Sequence, residues 1–567
     1  MGKKQINIIL MGFVMICPFL QGAYFYHGAY LAGAILLMIL MYYIIINRKL
    51  RLERSLSHLL ILIGVLLYLI SIFHAVDKGM AYMGFLKVLV VYLFYLVIMQ
   101  TNMDKKAFTD ALSFCGIIMS AISLSAFFIP CLGEELIQKG RLGSFFQYPN
   151  TFALFILVCT VLVVNREKLK AYHIIGIIIM WAALLLTFSR SMYIIAIGTL
   201  LIIIIYDRKK IKYLIPAVLL GTAVWYIIMT FGDFTHMFDR IEETSTQTSE
   251  WLTRLLYYKD SISIMKDYPF GSGHLGYFYI QRKYQTGATY YVKYIHSNVL
   301  QVVMDIGIVG FALMGIYFVY NTLSKRLTFY DKLSIFIIFG HGAIDFDWQF
   351  LVIGFLILII VFVDEAKIKE ISITGIKTLG TFIIASVLLI NYIYMALNSY
   401  LAYIGDYEDS LRLYPYNTEA KINLASEYRD TDPIKAYKLA DEIISQNPFS
   451  INGYIIKRDI DYENYELEKA YESAEKIVDL NPLSIKNLEK YSNILLDMVR
   501  DDIENDRERE ALNRLKLIFE IPYHLNKLAK ERLTDYNVKH IPRLYMSEKL
   551  IDNNVEAEKL YDKIIQD

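Results

Sequence analysis

Tyr294-Ile295-His296-Ser297-Asn298 closes a polar interval that opens after Thr230 and interrupts the most apolar part of the chain. Inside that interval lie Arg254 and the turn Pro269-Phe270-Gly271-Ser272-Gly273, and from Val299 the apolar character returns. A long polar insertion between apolar runs, ending in a histidine at a helix mouth, reads as the place where a membrane protein does its chemistry. The side of the membrane it faces then decides what it can act on.

Composition agrees with a membrane setting. The chain has 567 residues, 56% of them hydrophobic and 20% charged, with a mean hydropathy of +0.39. That is too apolar for one soluble fold and indicates a polytopic membrane protein. A formal net charge of +1 with no Lys/Arg-rich block argues against a nucleic-acid partner. Cys17, Cys115, Cys131 and Cys159 lie in or beside apolar runs without metal-ligand spacing, so neither a zinc site nor a disulfide framework is indicated. Met1-Gly2-Lys3-Lys4 ahead of an apolar run resembles a signal peptide, but Cys17-Pro18 offers no small-residue cleavage site, and the segment reads as a retained first span.

Runs suited to a hydrocarbon core of about 30 Å fall near 6–24, 29–46, 57–75, 81–100, 110–130, 151–164, 172–188, 191–206, 213–231, 299–320, 332–346, 349–363 and 377–398. They suggest roughly thirteen spans, with the long 172–206 block divided at Phe188-Ser189-Arg190-Ser191. Alternate connections carry Arg48/Lys49/Arg51/Arg54, Lys105/Lys106, Arg166/Lys168/Lys170, Arg208/Lys209/Lys210/Lys212, Lys325/Arg326/Lys332 and Lys367/Lys369. By the positive-inside rule these are cytoplasmic. Span count and charge agree in placing the 232–298 loop, and the part of the chain after about residue 400, on the extracytoplasmic side.

Residues 400–567 differ from what precedes them: charge rises, long apolar runs stop and amphipathic helical spacing begins. Pro415, Pro448 and Pro482 recur at intervals of 33 and 34 residues, the last two as Asn447-Pro448 and Asn481-Pro482. Ala436, Tyr437 and Ala440 return 34 residues later as Ala470, Tyr471 and Ala474. This is the tetratricopeptide period, with small residues where paired helices approach and a proline ending each unit. Such arrays offer a concave face to a protein partner; a structural cap or spacer is the competing reading.

Outside the membrane there is neither ATP nor nucleotide sugar, so an enzyme there needs a group carried across in activated form, such as a lipid-linked diphosphate. That chemistry calls for cations at the diphosphate and a base at the attacking hydroxyl. Arg190, in an apolar hairpin, suits the first role, with an arginine snorkelling at a helix end as the alternative. Arg254 lies in the amphipathic stretch Trp251–Tyr258, where it reads equally as a surface arginine. His296 has the titration range of a base at neutral pH, although an isolated interfacial histidine is a structural residue as often. Arg141 and Asn150 sit in the polar stretch Gly140–Asn150, which would also serve as a helix cap.

Taken in order, an Arg-x-Gly element ending in Pro149-Asn150, the Ser189-Arg190 hairpin, Arg254 ahead of Pro269–Gly273, and His296 followed by Leu300-Gln301 and Asp305–Gly310 resemble the O-antigen ligase and polymerase (Wzy/WaaL-like) family of bacterial membrane glycosyltransferases. The resemblance covers about residues 140–350. It implies a GT-C type helical fold, and an undecaprenyl-diphosphate-linked oligosaccharide as donor with a glycan, lipid or protein acceptor. Transfer is expected without metal or cofactor. On this basis Arg190, Arg254 and Arg141 attend the donor diphosphate and His296 activates the acceptor hydroxyl. Many members carry asparagine directly after this histidine; here Ser297 stands there, with Asn298 next.

A second ionisable cluster, His341, Asp345 and Asp347, lies near the outer end of a span, where structural pairing with an outer arginine is the favoured reading over a divalent metal. Of the many tyrosines, those in the loop (Tyr277, Tyr284, Tyr290, Tyr291 and Tyr294) are candidates for glycan contact, set against an interfacial belt. The expected architecture is therefore an all-α membrane bundle, residues 1–399, followed by an extracytoplasmic helical repeat domain, 400–567, in the bacterial cytoplasmic membrane. The expected role is glycan transfer or polymerisation in surface polysaccharide synthesis. Transfer to protein, or transport of the lipid-linked glycan, are the alternatives, and the second lacks the paired-repeat symmetry usual in transporters.

Overall fold

The computed structural model describes residues 3–101, 103–231, 249–287, 290–363, 367–534 and 544–566, so the 232–248 part of the long loop lies outside the described residues. Among them the chain forms 24 α-helices and is 78% helical, an all-α polytopic membrane protein. Among the described residues, six helices are long and apolar enough to cross a membrane: Tyr26–Asn47, Lys78–Thr101, Lys105–Ser125, Arg208–Phe231, Asn298–Leu323 and Ile376–Tyr403. Six further apolar helices are shorter, among them Leu56–Ser71, Pro149–Val164 and Arg190–Tyr206.

Two of the apolar runs break earlier than their composition suggests. The first helix stops at Ile16 and passes through a 3-10 turn that contains Pro18, where the ring removes a backbone donor. The 332–346 run is helical only as Phe329–Gly342; the residues after it turn across the bundle mouth because Asp345 and Asp347 are bonded to side chains of other helices.

Helix Pro149–Val164 occupies the centre of the bundle, with every residue but Thr160 buried. Its sequence is apolar around the whole circumference, as expected of a helix without a solvent or lipid face. It packs against Lys105–Ser125, Ala171–Leu186 and Phe329–Gly342. Pro149 opens it at the first helical position, where a missing N–H costs nothing, so Asn150 and Thr151 emerge at one end of the core.

The two ends of the bundle differ. At one, Lys49–Glu53 pairs antiparallel with Ile368–Ser372, which brings the Arg48–Arg54 and Lys367/Lys369 connections together. At the other lie the 249–297 loop and the helices beyond residue 403. Those helices form consecutive pairs, Thr418–Tyr428 with Pro433–Gln446, Ile451–Glu463 with Leu467–Leu480, and Ile485–Glu504 with Glu508–Glu531. Ala436, Ala440, Ala470 and Ala474 are buried where the helices of a pair meet. The array is fastened to the loop by Lys293–Glu419 (2.6 Å) and Lys283–Asp479 (3.1 Å). Arg532 donates to the carbonyls of Lys283 and Gln285 as well.

Candidate active site

The framework of the site is a close backbone contact between two glycine-bearing segments. Helix Asn298–Leu323 breaks at Ile306-Gly307, where Gly307 has φ 75°. The Pro269–Gly273 turn docks into the break: Ser272 N donates to Met304 O (2.6 Å), Gly273 N to Asp305 O (3.2 Å) and Ile308 N to Pro269 O (3.1 Å). A Cβ on Gly307 would collide with Pro269 O, so this position needs glycine for its φ and for the approach. The turn thereby satisfies helix groups freed by the kink and fixes the loop on the helix that begins beside His296.

Ser297 caps that helix, its hydroxyl accepting from Leu300 N at 3.3 Å. Asn298 is buried and joins the loop to the 343–350 segment: its N–H donates to Asp345 O (3.0 Å) and its Oδ1 accepts from Trp348 N (3.2 Å). Gln301 spans from Ile295 N (2.9 Å) to Asp305 (2.8 Å). The residues around His296 are thus held from three sides, and Tyr258 donates to the His296 carbonyl at 2.9 Å.

Asp345 is fully buried at the centre. Its Oδ1 lies 3.3 Å from His296 Nδ1 and accepts from Tyr148 Oη at 2.7 Å. Its Oδ2 accepts from Asn150 Nδ2 at 2.6 Å and lies 3.7 Å from Arg254 Nη2. Burial alone would push this carboxyl up. The hydrogen bond and charge of His296, with the charges of His341 and Arg254, outweigh burial and hold it well below the usual carboxylate range. Arg254 also donates to Ile344 O at 2.8 Å. His296 keeps 22% of its side chain exposed. With Nδ1–H directed at the carboxylate, Nε2 is the nitrogen left to accept a proton.

Arg141 is turned inward. Its Nε donates to Thr187 O (2.9 Å) and its Nη2 to Asn150 Oδ1 (2.7 Å), so it braces Asn150 and the turn ahead of Arg190. Arg190 is the exposed first residue of helix Arg190–Tyr206. Next to it, Ser191 Oγ lies 3.2 Å from His341 Nε2, His341 Nδ1 lies 2.7 Å from Asp347 Oδ2, and Thr151 donates to Asp347 Oδ1 at 2.7 Å. This buried relay ties the Arg190 helix to the central helix. The two carboxylates of Asp345-Phe346-Asp347 therefore face different partners.

Several participants are absent from the sequence reading. Tyr148 binds Asp345, and Thr151 and Ser191 complete the His341–Asp347 relay. Proline at the first turn of the central helix marks where Tyr148, Asn150 and Thr151 cluster, which is the signal available for them. The loop tyrosines divide: Tyr277, Tyr290 and Tyr294 are buried, the first two in a core with Leu256, Ile264 and Ile295, and are closed to glycan. Tyr291 is exposed, with the Arg282 guanidinium 3.7 Å from its ring centre.

Fold and site define an integral membrane helical protein with a histidine–carboxylate pair and arginines at one end of its bundle. Residues 175–315 match the O-antigen ligase family model. The matched stretch contains Arg190, Arg254 and His296; Arg141, Asn150, His341 and Asp345 lie outside it. No curated protein and no solved structure matches the chain.

Proposed function

We propose that the chain transfers or polymerises glycan from an undecaprenyl-diphosphate-linked donor onto an acceptor hydroxyl at the outer face of the cytoplasmic membrane. The acceptor oxygen attacks the anomeric carbon, the bond from that carbon to the diphosphate oxygen breaks, and the hydroxyl proton passes to His296 Nε2. The diphosphate leaves as an anion on its lipid and needs no proton to depart. Arg190 and Arg254 neutralise its charge, and Arg141 acts through Asn150 and the 187–190 turn.

The observation that carries this reading is the His296–Asp345 pair with Arg254 on the second carboxylate oxygen. A fixed, ionised carboxylate behind a partly exposed imidazole sets its orientation and stabilises the imidazolium formed as the hydroxyl is deprotonated. An apolar cavity of about 280 Å³ between helices Leu56–Ser71, Lys78–Thr101 and Asn298–Leu323 reaches Asn298 and Trp348, next to this pair, and suits part of a lipid tail. The repeat domain shares the His296 end of the bundle, opposite the Lys/Arg-bearing sheet, in keeping with an extracytoplasmic loop and repeats.

The test is reconstitution in liposomes with a lipid-linked repeat unit and candidate acceptors, followed by product sizing. A ladder of glycan on the lipid identifies a polymerase, and a single addition to a lipid acceptor a ligase. Glycan on protein identifies an O-oligosaccharyltransferase. Donor moved across the bilayer with its glycosidic bond intact overturns the transferase reading in favour of a flippase.

A further inference from the structure

Helix Asn298–Leu323 starts beside His296 and, past its break at Ile306-Gly307, runs on to Leu323 at the end that carries the Lys49–Glu53 strand. There it walls a groove of about 1070 Å³. Three separate stretches of sequence deliver cations to the groove mouth. The antiparallel pairing of Lys49–Glu53 with Ile368–Ser372 continues as Arg54 N to Lys367 O at 2.7 Å, which sets Arg54 beside Lys367. The turn after Leu323 adds Lys325 and Arg326.

These four cations are exposed, and no ion pair joins them to a described residue, whereas neighbouring Lys49 and Arg51 are both engaged with Glu370 (2.8 and 3.6 Å). Glu53 is the one carboxylate among the described lining residues, and it already accepts from Tyr95 Oη at 2.8 Å. Asp364 and Glu365, just ahead of Lys367, lie outside the described residues. Even with both counted, four cations face at most three carboxylates. Beyond the mouth the wall is apolar and exposed: Phe311 (45%), Ile316 (48%), Val319 (50%) and Leu323 (74%) lie along one helix.

We propose that this groove is a binding site for an anionic phospholipid, its phosphate among Arg54, Lys325, Arg326 and Lys367 and an acyl chain along Phe311–Leu323. Basic residues next to a bilayer attract anionic headgroups, and a guanidinium fork matches phosphate oxygens. Convergence of three segments on one groove makes a located site out of what would otherwise be a diffuse charge at the bundle end. A phosphate there would relieve the mutual repulsion of the four cations and couple the sheet to the 324–328 turn.

The test uses the full-length protein in phosphatidylcholine nanodiscs containing a trace of photoreactive phosphatidylglycerol or photoreactive phosphatidylcholine, with adducts mapped by mass spectrometry. Phosphatidylglycerol should label the 311–326 region severalfold more than phosphatidylcholine does. The combined Arg54→Gln, Lys325→Gln, Arg326→Gln, Lys367→Gln variant should lose that excess while keeping the wild-type melting temperature; if it misfolds, Arg326→Gln alone should lower the excess. Equal labelling by the two lipids would reduce the groove to ordinary lipid-facing surface. Displacement of phosphatidylglycerol by inorganic phosphate, beyond the effect of chloride at the same ionic strength, would assign the cations to a free anion and overturn the lipid site.

Discussion

Asp77 Oδ2 and Thr418 Oγ1 lie 2.6 Å apart in a fully buried position, joining the membrane bundle to the first helix of the repeat array. Asn447 Nδ2 reaches the same carboxylate oxygen at 3.1 Å, and Asp77 Oδ1 accepts from Met80 N at 3.0 Å. One aspartate thus caps helix Lys78–Thr101 and holds two successive repeat units. The array is bonded to the bundle here and, through Lys293, Lys283 and Arg532, to the segment that ends at His296.

Asp77→Ala should loosen this attachment. Leaving buried donors without an acceptor costs about 1–3 kcal/mol each, and Thr418 and Asn447 are both buried. Limited proteolysis of the purified protein should cut the 403–418 connection faster in the variant, with helical content unchanged. Cleavage at the wild-type rate would show that the contacts of Lys293, Lys283 and Arg532 suffice to hold the array.

Asp345→Asn should lower turnover by about a hundred- to ten-thousandfold, the range of a positioned base, when measured at a pH of about 8. The sign follows from the direction of the shift. A depressed carboxyl contributes stability that is fully present above the ordinary value of 3.8, and that is lost only as pH falls through the lower folded value. Asp345 is therefore ionised under those conditions. Wild-type turnover of the variant at that pH would mean that the carboxylate contributes nothing to the imidazole beside it.

Much of the site was legible because polar residues stand out against apolar runs. His296, Arg254 and Asp345 were conspicuous for that reason, and so was the 33–34 residue interval after residue 400. What stayed hidden depends on contacts between distant segments. The Pro269–Gly273 turn and the Asp305–Gly310 element were both noticeable, yet their docking requires a helix broken at Ile306-Gly307, and the 299–320 run reads as continuous. Tyr148, Thr151 and Ser191 were concealed because tyrosine is common at membrane interfaces and helix hydroxyls usually bond their own backbone. The Lys49–Glu53 strand is too short for its alternation of Leu50 and Leu52 to stand out between long helices.

Arg254→Ala should cut turnover by an amount on the order of 2–4 kcal/mol of transition-state stabilisation, the cost of removing one preorganised donor. Arg190→Ala should do the same; Arg254 is the arginine whose Nη1 donates to Ile344 O and whose Nη2 lies 3.7 Å from Asp345. Lysine should rescue either position only in part, having lost the planar fork. Steady-state kinetics at matched expression decide this; wild-type rates in Arg190→Ala would make that residue an ordinary helix-end arginine.

His296→Ala and His296→Gln should both abolish or nearly abolish transfer while lipid-linked donor still binds. Asp345 holds Nδ1, so Nε2 is the nitrogen we propose as the base, and neither alanine nor a glutamine amide can take a proton there at neutral pH. In the proposed reaction the diphosphate leaves unprotonated, which makes deprotonation of the acceptor the transfer that most needs a base. Donor retention on immobilised protein and turnover with saturating acceptor should therefore separate in these variants: binding near wild type, and turnover lower by at least about a hundredfold. His341→Ala should instead weaken folding, because it breaks the Ser191–His341–Asp347 relay. Loss of donor binding in the His296 variants, with residual turnover restored by raising donor concentration, would move the histidine to the diphosphate and leave the base to be found elsewhere.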